Sequence, residues 1–407
     1  MRQRKKKLRI KDRITIYIKE TKPVKCRVCL VIAAILLIAL IILGRTQKIN
    51  VIEASMPLKE ENVQMRLTFA GDIEITDGIR KLANKSSYKN LFEGVQEYWN
   101  DSDYVIANIS GPVLQYNVSH YKSTRKEGED SNYLRPAALR GLKEAGINLP
   151  GFANDDVYNY GVTGIESTIR ILEKYNMDYL GIISNSNEPL YKILEYDFKT
   201  SSGELETRKI GVIGINDVLR KKSTVGENKA GIINSSYQPI YEKIIEMDEM
   251  CDYVIAYTHL KNGEENTSTE VEEIAKVLID VGADVVIGNS SALESMEVYE
   301  GKYIFYGLGS LVSDEAYSFS RNSALLDFTV ERDGEASIYL TPLHITEGRP
   351  GKVTSEMNLK KIYATVLSKA TDKDYEIMDD GLIKISLGKL PVIQTVSEES
   401  QEWQNVE

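Results

Sequence analysis

The sequence predicts an α/β fold of mixed β-sheets flanked by helices, standing behind an N-terminal transmembrane helix. Three observations carry this: a charge-free apolar run near the N-terminus, short apolar strands alternating with amphipathic helices from Met65 onward, and a late switch to hairpin patterning. Alternating strand and helix implies a sheet covered by helices, and a hairpin added to it makes that sheet mixed.

The apolar run is VCLVIAAILLIALIILG, residues 28–44. Its seventeen residues, at about 1.5 Å each, span roughly 25 Å as a helix, just enough to cross a bilayer. Residues 1–27 hold twelve Lys or Arg against Asp12 and Glu20, a balance of +10, which assigns that side to the cytoplasm. A signal peptide has an apolar region of only about 7 to 15 residues, and no small-x-small cleavage site follows Gly44. The expectation is a single-pass anchor in the cell membrane, with the main domain extracytoplasmic. Residues 45–64 lack periodicity and read as a stalk.

MRLTFA (65–70) alternates as a strand does and meets Gly71-Asp72; Leu91, Phe92, Val95, Tyr98 and Trp99 then recur at helical spacing. YVIA (104–107) is a second strand, Leu139, Leu142 and Ala145 predict a helix, and INLPGFA (147–153) a further strand. Val162, Ile165, Ile169 and Leu172 form one apolar helix face. Strands follow at 179–183, 209–215, 253–258 and 284–288, separated by helices carrying Ile240, Ile244 and Met247, then Ile274, Leu278 and Val281. YIFYGL (303–308) is apolar, and Asp333-Gly334 between two alternating runs marks a tight hairpin. The organisation is therefore a basic tail (1–27), a membrane helix (28–44), a stalk (45–64), an α/β domain (65–350) and a C-terminal extension with an acidic, disordered tail (351–407).

The chain as a whole is at −10, so outside the basic tail it carries −20. That excess argues against nucleic acid, whose phosphates need clustered Lys and Arg, while the basic tail suits anionic lipid. RKK (220–222) is the nearest basic patch in the outer part and reads as a solvated loop. With only His120, His259 and His344, a three-His zinc centre would use every histidine. Cys26, Cys29 and Cys251 supply no disulfide framework, and Cys26-x-x-Cys29 lacks the second pair a structural zinc requires. No P-loop, nucleophile elbow or dinucleotide fingerprint occurs.

Open α/β sheets bind ligands at the carboxyl ends of their strands. The residues there are Asp72, Asn108, Asn154, Asn216, His259 and Asn289. One carboxylate, several amide oxygens and an imidazole suit a cation or a polar substrate. Asn and Asp after a strand also cap helices and make turns, which is the bland reading of each singly.

These residues sit in segments that resemble the CapA family, the capsule or poly-γ-glutamate synthesis proteins related to calcineurin-like metallophosphoesterases. The resemblance runs from about Met65 to Thr346 through FAGDIEITDGI, DYVIANISGPV, ANDDVYNYGVTGIESTIRILEKYNMDYLG, CDYVIAYTHLKNGEE and GKYIFYGLGSLVSD. It implies a metallophosphoesterase-like α/β sandwich. It also implies a site with Asp72, Asn108, Asn154, Asp156 and His259 as metal ligands, and Asp72, His259 and Asp156 as catalytic groups. The chain departs from the family pattern at Ser110, where a Glu is usual, at Asp156, where a His is usual, and across GNSSALES (288–295), which has no histidine; Glu264 stands in for the Glu after His259. A two-metal phosphoesterase needs both first coordination spheres filled. The expectation is accordingly one divalent ion, manganese, zinc or magnesium, held loosely, or none. Three functions follow: a membrane-anchored role in making, exporting or retaining an anionic surface polymer with envelope biosynthesis partners; an active metal-dependent phosphoesterase or other hydrolase; or a non-catalytic envelope-binding module.

Overall fold

The computed structural model describes residues 34–36, 62–125, 132–199, 203–217, 222–235, 237–260, 268–314 and 321–391. The chain divides into two units, Met1–Val51 and Ile52–Glu407. Of the first unit only residues 34–36 are described; they are helical, and the rest of the expected membrane span lies outside the described residues. Among the described residues no helix is long and apolar enough to cross a membrane.

The second unit opens with β1 (Val63–Glu74), α1 (Asp77–Lys85), β2 (Tyr104–Ser110), α2 (Pro136–Glu144) and α3 (Gly161–Lys174). Next come β3 (Ile182–Ile183), β4 (Tyr191–Lys199), β5 (Leu205–Asn216), β6 (Gly231–Ile232), α4 (Pro239–Met250), β7 (Tyr253–His259), α5 (Ser268–Asp280), β8 (Val285–Gly288), β9 (Met296–Tyr299) and β10 (Lys302–Phe305). The last stretch gives β11 (Ser310–Val312), β12 (Asn322–Glu331), β13 (Glu335–Thr346), β14 (Arg349–Lys352), α6 (Glu356–Val366), β15 (Glu376–Ile377) and β16 (Ile383–Lys389). Helix starts follow local chemistry: Thr76 Oγ1 accepts from the Ile79 N–H to cap α1, and α2 and α4 begin on prolines, whose missing N–H costs nothing in the first turn.

One sheet has the order β11-β1-β12-β13-β16-β15, with β2 added on β1 and β14 on β13; a second runs β4-β5-β7-β8-β10-β9, and β3 and β6 pair as a small third sheet. In the second sheet β5, β7, β8 and β10 are parallel, and β4 and β9 close it antiparallel. Strand periodicity explains how the sheets stack. Leu67 and Phe69 of β1, Ile106 of β2, Ile255 and Tyr257 of β7, and Val285 and Ile287 of β8 fill one core between the sheets. The opposite face of β2, through Val105, Ala107 and Ile109, packs on α1, α2 and α3. Val254 and Ala256 of β7 and Val286 of β8 pack on α4 and α5. The result is helices, sheet, sheet, helices.

Several expectations change here. Leu91, Phe92, Val95, Tyr98 and Trp99 are buried, but they lie on and beside two short 3₁₀ turns, Lys89–Phe92 and Gln96–Tyr98, rather than on one helix. Residues 147–153 form no strand; Pro150 interrupts them, and only Gly151 bridges, to Asn108 and to Leu180. Of 179–183 only Ile182–Ile183 is a strand. The hairpin at Asp333-Gly334 joins β12 to β13, with Gly334 at φ +87°. In the C-terminal extension, Leu359, Ile362 and Val366 of α6 and Ile383 and Ile385 of β16 belong to the inter-sheet core.

Candidate functional site

The inter-sheet face of each central strand is apolar until its carboxyl end, where it turns polar. On β2 the face carrying Ile106 continues to Asn108 and Ser110; on β5 the face of Ile210 and Val212 ends at Asn216. On β7, Ile255 and Tyr257 lead to His259, and on β8, Val285 and Ile287 lead to Asn289. Period two alone would send Asp72 of β1 elsewhere. Leu67 and Phe69 face the other sheet and Ala70 faces the helices, so residue 72 should join Ala70; instead Ile73 and Ile75 do. The pairing of β1 with β2 slips between Ala70 and Asp72, a bulge that turns Asp72 and Glu74 into the inter-sheet cleft. Gly71 permits it, because a Cβ there would lie 1.5 Å from the Gly309 carbonyl oxygen.

The cleft has a volume of about 190 Å³ and is lined, among the described residues, by Asp72, Glu74, Ser110, Asn154, Asp155, Asp156, His259, Ser290, Ser291, Ala292 and Glu294. Five of these are carboxylates and none is Lys or Arg, so the cleft favours positive charge. Asn108 Nδ2 donates to Asp72 Oδ1 at 2.6 Å, and Asn154 Nδ2 donates to Asn108 Oδ1 at 3.0 Å and to the Ile109 carbonyl at 2.8 Å. Asn154 Oδ1 in turn accepts from the Val157 N–H at 3.1 Å and caps the 3₁₀ turn Asp155–Tyr158. His259 Nδ1 lies 2.9 Å from Asn289 Oδ1 and 3.7 Å from Asp72 Oδ1. Burial opposes a charged imidazole, but Asp72, Asp217, the Asn289 bond and Asp155 together outweigh it and raise the His259 pKa.

Asp72, Asn108, Asn154 and His259 therefore lie together at the cleft. Asp156 lies at the mouth, bound by the Arg125 guanidinium, while its neighbour Asp155 is the buried one and accepts from Asn216 Nδ2 at 3.1 Å. Sequence reading passed over Glu74, Asp155 and Asp217. Glu74 was signalled by its spacing of two from Asp72; which of the two adjacent aspartates turns inward had no signal. Glu264 and residues 220–221 lie outside the described residues.

A two-cation hydrolytic centre needs carboxylate and imidazole donors converging at about 2 Å on each ion. Among the described residues no three His, Cys, Asp or Glu side chains are grouped to hold a metal ion. The amide oxygens are also engaged: Asn108 Oδ1 by Asn154, Asn154 Oδ1 by Val157, Asn289 Oδ1 by His259. These residues do not fit such a centre.

Residues 66–315 match the family described as bacterial capsule synthesis protein PGA_cap, and the chain belongs to that family. It is 28% identical over 378 residues to the capsule biosynthesis protein CapA of Bacillus anthracis, covering 90% of this chain and 88% of that protein. It is 25% identical over 319 residues to the PGA biosynthesis protein CapA of Bacillus subtilis (strain 168), covering 77% and 80%. Among solved structures, a 5'-nucleotidase precursor from Thermus thermophilus is similar over 74% of this chain and 58% of its own, at 14% identity and a TM-score of 0.40. The calcineurin-like phosphoesterase YfkN from Bacillus subtilis is similar over 72% and 89%, at 15% identity and a TM-score of 0.37. Likeness at that level leaves the architecture to be argued from the strand order above.

Proposed function

We propose, with membership of the capsule synthesis family as the premise, that this chain acts at the outer face of the cell membrane in the synthesis, export or retention of an anionic capsule polymer such as poly-γ-glutamate. Residues 28–44 anchor it, with the basic tail against anionic lipid on the cytoplasmic side. The observation that carries the capsule role is the family match over residues 66–315. The cleft serves as a polar ligand site derived from a metal centre. Its saturated amides and, among the described residues, its lack of grouped metal donors support that reading over a two-metal hydrolase. An anionic polymer is repelled by the carboxylate lining, so the polymer meets the protein elsewhere, or the cleft takes a positively charged component of the assembly machinery.

Two measurements on the full-length chain test this. In cells lacking the gene, cell-bound and released polymer are quantified with and without wild-type, Asp72→Ala and His259→Ala copies. Loss of bound polymer, restored only by the wild type, is expected; unchanged capsule in the deletion strain would remove the capsule role. After exposure to manganese, zinc or magnesium, less than one ion per chain is expected. One or two tightly held ions that disappear in His259→Ala would return the site to the hydrolases.

A further inference from the structure

One carboxylate of the cleft is held by a guanidinium from another segment of the chain. Asp156 lines the cleft, and its Oδ1 accepts from Arg125 Nη2. The arginine is fixed in turn. Its Nε donates to Asn159 Oδ1 at 2.6 Å, and Asn159 Nδ2 donates at 3.4 Å to the same Asp156 oxygen. Asn159 is 1% exposed, so this partner is set by the core. One residue earlier, the Thr124 N–H donates to the Asn159 carbonyl at 2.8 Å and Thr124 Oγ1 to the Tyr158 carbonyl at 2.9 Å. Residues 124 and 125 are thus laid across the 3₁₀ turn Asp155–Tyr158, and the Nε–Nη2 edge of the guanidinium meets two acceptors that the turn holds in place.

That contact bears on why the cleft does not fit a metal centre. The Arg125 and Asp156 side chains are 22% and 28% exposed, so solvent screens their attraction only in part. A metal ion would gather several donors around itself, whereas a guanidinium satisfies one carboxylate through directed hydrogen bonds. Here it takes Asp156 and leaves Asp72 to Asn108 and His259 Nδ1 to Asn289. A divalent ion reaching Asp156 meets a positive charge already seated on that carboxylate. It must displace the guanidinium or bind beside it against charge repulsion.

We propose that Arg125 is a built-in counter-ion that keeps divalent metal out of the cleft: its guanidinium occupies Asp156, the carboxylate that an ion entering from the mouth meets. This rests on the cleft being a ligand site derived from a metal centre, and it places a cause of the misfit in one ion pair of this chain.

Manganese binding to the full-length chain is measured by titration calorimetry, with circular dichroism checking the fold of each variant. Arg125→Gln keeps a hydrogen-bonding side chain and removes the charge, and it is expected to bind manganese at least about tenfold more tightly than wild type. The gain is expected to vanish when Arg125→Gln is combined with Asp156→Asn, which removes the released carboxylate. Arg125→Lys keeps the charge, and Thr124→Val loosens the segment without changing charge; both are expected to stay at the wild-type affinity. Equal affinity in Arg125→Gln and wild type overturns the proposal, as does a gain that survives Asp156→Asn or that appears equally in Thr124→Val. Should Arg125→Gln fail to fold, Arg125→Met is read in the same way. One or two ions held tightly by the wild type would overturn the reading of the cleft and this proposal together, whereas weak binding in both chains overturns the proposal alone.

Discussion

The two ends of β1 carry buried charge in opposite ways. Near its start, Arg66 and Asp327 are 3% and 0% exposed and meet at 3.0 Å, with Thr68 Oγ1 at 2.5 Å from the same carboxylate oxygen and Arg66 Nη2 donating to the Tyr98 carbonyl. Near its end, Asp72 is 2% exposed and meets the Asn108 amide and the His259 ring; among the described residues no Lys or Arg lines the cleft around it. The first charge is matched by a full opposite charge and holds the fold together. The second meets an amide and an imidazole rather than a guanidinium, which is the arrangement expected of a site that meets a ligand.

The comparison breaks most easily at the first end. Asp327→Ala strands a buried guanidinium, and equilibrium urea denaturation is expected to show a loss of about 3 to 5 kcal/mol. A loss below about 1 kcal/mol would make the pair a surface-like contact and erase the contrast. Gly71→Ala lies where the two ends meet. Its Cβ would strike the Gly309 carbonyl at 1.5 Å, so the bulge must open, at about 3 kcal/mol in the same assay, with Asp72 displaced from Asn108.

A smaller effect sharpens the second end. Because the folded pKa of His259 is raised, its protonation stabilises the fold below the unfolded value of about 6.5, and that contribution is lost as pH rises through the folded value. The stability difference between wild type and His259→Asn is therefore expected to be level below about pH 6.5 and to shrink above it. Taking the difference removes His344, whose burial pushes its pKa down and acts with the opposite sign. A difference that grows with pH would detach His259 from Asp72, Asp217 and Asp155. The smallest expected change is the stability of Asp72→Asn, within about 1 kcal/mol of wild type because its oxygen still accepts from Asn108 Nδ2. Polymer retention by the same variant should fall, and separating those two readouts is what marks Asp72 as functional rather than structural.

Much of the site was legible because strand periodicity carries side chains to one face in a countable way. His259 follows Ile255 and Tyr257, Asn289 follows Val285 and Ile287, and Asn108 follows Ile106, each at intervals of two. The count fails where the backbone departs from regularity. Asn154 arrives on a loop interrupted by Pro150, and the choice between Asp155 and Asp156 depends on Arg125, thirty-one residues away, reaching Asp156. Tyr257 reads in the sequence as one more apolar strand residue, since nothing local shows that its hydroxyl meets β1.

The sequence by itself determined the alternation of β1, β2, β5, β7 and β8 with helices α2 to α5, the faces these elements bury, and the polar ends of β2, β5, β7 and β8, because these follow from local spacing of apolar residues. Only the tertiary structure decided that Gly71 bulges against Gly309, that Asp72 consequently faces the other sheet, and that Asp155 rather than Asp156 turns inward. Each of those outcomes depends on a contact between segments distant in the chain, and local pattern carries no term for such a contact.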